Sequence, residues 1–119
     1  MSINAEGVVY ERPWGTYQTL QLATGYQVKQ LVVNPGGRLS LQRHFKRAEH
    51  WVVVKGSPTI TVDDSVAEYK CNDHIFIPLQ AKHRIENSTN ETCMIIEVQV
   101  GDYLGEDDIE RFDDIYGRA

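Results

Sequence analysis

The sequence predicts an all-β jelly-roll barrel closed by one short C-terminal helix. Two observations carry the barrel. Runs rich in Val, Ile, Thr and Tyr alternate apolar with polar residues, and turns built from Gly, Pro, Asn and Asp separate them at short intervals. A third observation carries the helix: only the last stretch of chain changes to an apolar spacing of three to four residues.

The elements follow in order. GTYQTLQL (15–22) reads as a strand, ATG turns, and YQVKQLVV (26–33) returns. NPGG (34–37) makes a sharp turn, because Pro fixes φ and Gly accepts positive φ. RLSLQRH (38–44), EHWVVVKG (49–56), PTITV (58–62) and VAEYK (66–70) follow, then HIFIPL (74–79), HRIENS (83–88) and TCMIIEVQV (92–100). VDDS, CND and STNET turn the chain among the later segments. Short strands at this spacing, with no helix between them, favour an antiparallel sandwich or barrel. GEDDIERFDDIYGRA (105–119) then spaces Ile109, Phe112, Ile115 and Tyr116 as one amphipathic helix face, with acidic residues in the first turn.

Length and charge bound the function. Residues 1–119 form one domain on length alone. With 41% apolar and 24% charged residues the composition is that of a globular chain. A net charge of −5 argues against nucleic acid as the main partner, although local basic clusters can hold a small anion. No apolar run has the length of a membrane span, and MSINAEGVVYERPWG lacks the pattern of a signal peptide. Cys71 and Cys93 match no zinc spacing or disulfide framework. The expectation is a cytoplasmic chain with two free thiols.

The stretch LSLQRHFKRAEHWVVVKG (39–56) is unusually polar for strands. Alternation places Ser40, Gln42 and His44 on one face, with Leu39 and Leu41 on the other. Glu49 opens the next strand close enough to turn toward them. In HRIEN, His83 shares a face with Ile85 and Asn87. Two imidazoles, a carboxylate and an amide oxygen would make a mixed nitrogen and oxygen site for zinc, manganese, iron, cobalt or nickel. The remaining candidates read as structural: Trp14 and Trp51 as packing residues, His50 on the opposite face from Glu49, His74 in an exposed turn.

These residues resemble the two cupin motifs. Gly36, Gln42, His44, Glu49 and Gly56 fit the spacing of the first, and Pro78, His83 and Asn87 that of the second. Gln at the first ligand position marks the phosphomannose isomerase branch. ERPWG, YQVKQLVVNPG, the RAEHW run and the tail GDYLGEDDIERFDDIYGR closely resemble the C-terminal domain of type II phosphomannose isomerases, often fused to a mannose-1-phosphate guanylyltransferase. The resemblance implies a cupin double-stranded β-helix and a divalent metal, zinc foremost, held by Gln42, His44, Glu49 and His83. It also implies interconversion of mannose 6-phosphate and fructose 6-phosphate, feeding GDP-mannose and polysaccharide synthesis.

Carried over by position, Arg47 is the Arg of RAEHW, and Arg111 and Arg118 are those of the tail. Arg47, Lys82 and Arg118 are the catalytic candidates, Lys82 as a base only if its pKa is lowered. Lys46, Arg47, Arg111 and Arg118 are the candidates for holding the sugar phosphate. The chain departs from the pattern at Phe45 and Lys46, where a His-rich run is usual, at Asn72 and Gln80, where Gly is usual, and at GSPTI. The alternative reading is an accessory cupin that binds a sugar phosphate or nucleotide sugar without turnover. An oxygenase or lyase is disfavoured by Gln42 and the RAEHW run. Expected partners are a second copy of the chain and a separate guanylyltransferase, with no nucleic acid and no membrane.

Overall fold

The computed structural model describes residues 4–113. Among these residues the chain forms eleven strands and no helix. They are β1 (Val9–Arg12), β2 (Gly15–Ala23), β3 (Tyr26–Val33), β4 (Leu41–Arg43), β5 (Arg47–Lys55) and β6 (Thr59–Val62). β7 (Ser65–Glu68), β8 (His74–Ile77), β9 (His83–Glu86), β10 (Cys93–Gly101) and β11 (Glu110–Asp113) complete the set. One sheet runs β1-β2-β3-β10-β5-β8 and the other β11-β4-β9-β6-β7, with antiparallel pairing between all neighbours. This is the double-sheet architecture that the alternation predicts. No helix among the described residues is long and apolar enough to cross a membrane.

Period-two alternation sets what faces inward. In β3 every second residue from Gln27 to Val33 is buried, and in β10 the same holds from Cys93 to Gln99. The inward residues change character along these strands. At one end Val33, Cys93, Ile95, Val53 and Ile85 form a dry core. At the other end the buried positions are Gln27, Lys29, Glu97 and Gln99. Their polar atoms are bonded across and along the strands: Thr19 Oγ1 donates to Gln27 Oε1 at 2.7 Å, Gln27 Nε2 to Gln99 Oε1 at 2.9 Å, and Gln99 Nε2 to Glu97 Oε1 on the same strand at 3.1 Å. Buried polar groups persist only when paired in this way, so the barrel is half core and half polar cavity.

Two turns explain departures from the glycine pattern. Asn72 and Gln80 stand at φ 80° and 65°, the left-handed region that glycine enters most readily. Gln80 is held there because its N–H donates to the His44 carbonyl at 2.8 Å. Gly56, at φ 83°, cannot be replaced so easily: a Cβ there would lie 2.7 Å from Cys93 Sγ.

Among the described residues, the expected C-terminal helix is not formed. Gly105 to Asp108 make a turn, and Glu110–Asp113 form β11 against β4. The reason lies in cross-strand partners. Glu110 accepts from Arg43 Nε at 2.7 Å, Asp113 pairs with Arg38 and Arg84, and the Phe112 ring sits under Lys82 Nζ at 4.3 Å. Backbone pairing with β4 and these contacts replace what a helix would have offered. Ile115 and Tyr116 lie outside the described residues. The strand reading also passed over β1, and His74 opens β8 opposite Val52 instead of lying in a turn.

A candidate metal and anion site in the barrel

β4, β5 and β9 bring the candidate ligands together. Gln42 and His83 are direct cross-strand partners on β4 and β9. His44 follows β4, and Glu49 lies two residues into β5 on its inward face. Ligand atoms of His44, Glu49 and His83 all lie within 4.8 Å of one another, and all three residues are buried. Ligand bonds of about 2.0–2.3 Å to one ion bring such atoms to about 3–4 Å apart, so the widest separation here would close by about 1 Å on a metal.

Each side chain is oriented by a partner outside the cluster. Arg47 Nη2 lies 3.2 Å from His44 Nε2. A guanidinium only donates, so Nε2 carries the lone pair and Nδ1–H donates to the Asp108 carbonyl at 2.6 Å. Burial, reinforced by Arg47 and His83, holds the His44 pKa down at about 4, against the pull of Glu49. His83 Nδ1 bonds the Ala81 carbonyl at 2.9 Å, which leaves Nε2 for the site. Gln42 Nε2 donates to Ser40 Oγ at 3.3 Å, so its amide oxygen is the atom left to face a cation.

Glu49 accepts from Trp51 Nε1 through Oε1 at 2.8 Å and from Arg47 Nε through Oε2 at 2.9 Å. Burial alone would raise its pKa, but Arg47, His44, His83 and the indole together hold it well below the usual carboxylate range. Two imidazoles fixed through Nδ1 and an ionised, hydrogen-bonded carboxylate are the donor set a divalent cation requires. The residues therefore fit the metal that the resemblance implies.

The cluster lies in a cavity of about 130 Å³. Arg12, Lys29, Arg47, Arg84 and Arg111 supply its positive charge, and Glu49, Glu97 and Glu106 its negative charge. Lys29 Nζ pairs with Glu106 Oε2 at 3.2 Å and lies 4.3 Å from the centre of the Tyr17 ring. Arg47 is 4% exposed, yet its Nη1 has no hydrogen-bond partner; Glu106 Oε2 stands 3.6 Å away. Burial, aided by Glu49, pushes the Glu97 pKa up to about 8.

The other candidates are placed differently. Lys46 is exposed, with Nζ 5.1 Å from the Tyr103 ring centre. Lys82 is exposed, with Nζ 4.3 Å from the Phe112 ring centre, outside the cavity. Arg118 lies outside the described residues. Trp14 and Trp51 are buried in the core and also line the cavity, while His50 faces outward. Sequence reasoning missed Lys29, Glu97 and Glu106. The signal for two of them was present: Lys29 shares the phase of Leu31 and Val33, and Glu97 that of Cys93 and Ile95. A charge in phase with core residues marks a polar cavity.

The chain is similar to the alginate biosynthesis protein AlgA of Pseudomonas putida, at 50% identity over 91% of this chain and 22% of that protein. It is also similar to the xanthan biosynthesis protein XanB of Xanthomonas campestris, at 49% identity over 91% of this chain and 23% of XanB. A mannose-1-phosphate guanylyltransferase of Escherichia coli matches at 48% identity over 91% of this chain and 23% of its own length. The chain thus spans under a quarter of these relatives. Among solved structures, a cupin-superfamily sugar phosphate isomerase from Silicibacter pomeroyi shares the fold at TM-score 0.65 and 20% identity, over 71% of this chain and 58% of that one. An oxalate decarboxylase from Lactobacillus farciminis does so at TM-score 0.76 and 21% identity, over 88% of this chain and 33% of that one. Residues 3–114 match the family described as Mannose-6-phosphate isomerase C-terminal, and the chain belongs to that family.

Proposed function

We propose that the chain is a metal-dependent isomerase that interconverts mannose 6-phosphate and fructose 6-phosphate. The observation that carries this is the convergence of His44, Glu49 and His83 inside a cavity lined by five cationic side chains. Gln42, His44, Glu49 and His83 would hold the ion, with zinc the first choice for this donor set and manganese, iron, cobalt or nickel compatible with it. Bound there, the ion would act as a Lewis acid on the sugar's carbonyl and hydroxyl oxygens.

The chain's own residues supply the rest. Arg47 and Lys29 stand in the cavity as donors for the phosphate group, and Arg111 lines the same space. Aldose–ketose exchange moves one proton between C1 and C2, which needs a group that takes it and returns it. Glu97 suits that step better than its neighbours: Glu49 is committed to Arg47 and Trp51, and Glu106 to Lys29. Lys82, on the outer surface, is not used in this reading. The product would feed GDP-mannose and polysaccharide synthesis, with guanylyl transfer supplied by a further region or a separate protein.

The test is a coupled isomerase assay on metal-reconstituted protein, with exchange at C1 and C2 followed in deuterated water. Turnover with solvent deuterium at C1 or C2 supports the reading. Tight binding of the sugar phosphate with no exchange overturns it in favour of a binding module.

A further inference from the structure

Arg47 and a metal ion require the same lone pair. An imidazole nitrogen has one lone pair in the ring plane, so His44 Nε2 cannot both accept from Arg47 Nη2 and ligate a cation. The 3.2 Å bond must break when a metal takes that nitrogen. Glu49 Oε2 differs, because a carboxylate oxygen has more than one acceptor direction. Its bond from Arg47 Nε, at 2.9 Å, can persist beside a metal. Arg47 would then stay oriented by Glu49 while losing the partner of Nη2.

The consequence falls on the far end of the guanidinium. Nη1 already lacks a hydrogen-bond partner in a side chain only 4% exposed. With Nη2 released, neither terminal nitrogen would hold a hydrogen bond, Nη1 having only the Glu106 carboxylate at 3.6 Å, which is costly for a buried guanidinium unless an anion satisfies it. Two adjacent N–H groups in a rigid fork match two oxygens of a phosphate. Lys29 Nζ, tied to the same Glu106 Oε2 that stands 3.6 Å from Nη1, adds charge to this position.

We propose that Arg47 is shared between a divalent-cation site and an anion site, so that a divalent metal and a phosphate group bind this cavity with mutual enhancement. The metal frees the fork for the phosphate, and the phosphate, by drawing the fork away, frees His44 Nε2 for the metal. Linkage makes the enhancement equal in both directions. The proposal rests on the metal reading of the cavity given above and is independent of isomerisation.

The experiment is calorimetric titration of chelator-treated protein with Co²⁺, checked by the visible absorption of the bound ion. It is run with and without inorganic phosphate kept below its solubility limit with Co²⁺. In the wild type, phosphate is expected to tighten Co²⁺ at least about fivefold, at the low end of usual coupling strengths, and Co²⁺ to tighten phosphate by the same factor. In Arg47→Met, Co²⁺ alone is expected to bind more tightly than to the wild type, with no effect of phosphate. Arg47→Lys, which keeps a positive charge beside Glu49 but lacks the fork, should show coupling below about twofold and covers the case in which Arg47→Met does not fold.

A wild-type coupling below about twofold overturns the proposal. So does coupling that survives in Arg47→Met, since phosphate would then be meeting the metal directly. Failure of Co²⁺ to bind at all overturns both this proposal and the metal reading. Coupling without C–H exchange overturns the isomerase reading alone.

Discussion

The Trp51 indole donates to Glu49 Oε1 at 2.8 Å, with both side chains projecting inward from the same face of β5 two residues apart. The indole thereby fixes one carboxylate oxygen and leaves the other for the site. Trp51→Phe keeps most of the packing and removes this donor. A hydrogen bond to a buried charge contributes about 1.5–3 kcal/mol, and losing such an outer partner weakens a metal site roughly 10–100-fold. Urea denaturation and metal titration of the variant should show both losses; an unchanged metal affinity would detach Trp51 from the site.

His44→Ala should remove metal binding and isomerase turnover together. His44 is the one ligand whose two ring nitrogens are both engaged, by Asp108 and by Arg47, so no neighbour can take its place. The variant should still fold, because much of the apolar core, around Val33, Val53 and Ile95, does not line the cavity. Far-ultraviolet circular dichroism should remain that of a β protein. Loss of that signal would mean that the polar half of the barrel is needed for folding.

In the metal-free protein His44 and Glu97 should contribute to stability with opposite dependences on pH, which oppose each other between about 4.5 and 6.5. His44 is held at about 4 against an ordinary 6.5. The unfolded chain therefore binds its proton first, and stability falls as pH drops from about 6.5 to about 4. At about 1.36 kcal/mol per pKa unit this amounts to roughly 3 kcal/mol. Glu49, with its pKa held low, adds a further loss at still lower pH. Glu97 is pushed up to about 8 from 4.5, so its contribution is present below about 4.5 and is lost as pH rises through about 8. Glu97→Gln mimics the protonated form, and its stability relative to the wild type should rise between pH 5 and pH 8. Equal differences in urea midpoint at the two pH values would show that Glu97 does not titrate in this way.

Much of the site was legible because strand alternation is a strict rule. Gln42 and His44 had to share a face, and His83 had to share one with Ile85 and Asn87, so three ligands could be read as inward. Glu49 was harder: it was read as the start of a strand, but β5 begins at Arg47, which puts Arg47, Glu49 and Trp51 in one inward row. That row explains why Arg47 meets the ligand atoms directly. Lys29 and Glu97 are hard to recognise because their strands have the pattern of core strands, in which a single charge does not stand out. The C-terminal segment misled because its apolar spacing does fit a helix. What overrides it is the open edge of β4, with Arg43 beside it to meet Glu110, and that is a tertiary fact no local period records.

Asp108 ties that segment to the site. Its carboxylate accepts from the Phe45 and Lys46 amides at 3.0 and 2.9 Å, and its carbonyl accepts from His44 Nδ1. One residue thus closes the β4–β5 connection and orients a ligand through its backbone. Asp108→Ala would leave two backbone amides without their acceptor, at a cost of about 1–3 kcal/mol for a partly buried position. It would also loosen the backbone that holds the His44 ring. Asp108→Asn keeps an acceptor for one amide and should recover part of the stability. Metal affinity is the deciding measurement. If the turn positions His44, Asp108→Ala weakens metal binding even at temperatures where the protein remains folded, and Asp108→Asn falls between it and the wild type. Wild-type metal affinity in folded Asp108→Ala protein would mean that the His44 ring is held by Arg47 and the core alone.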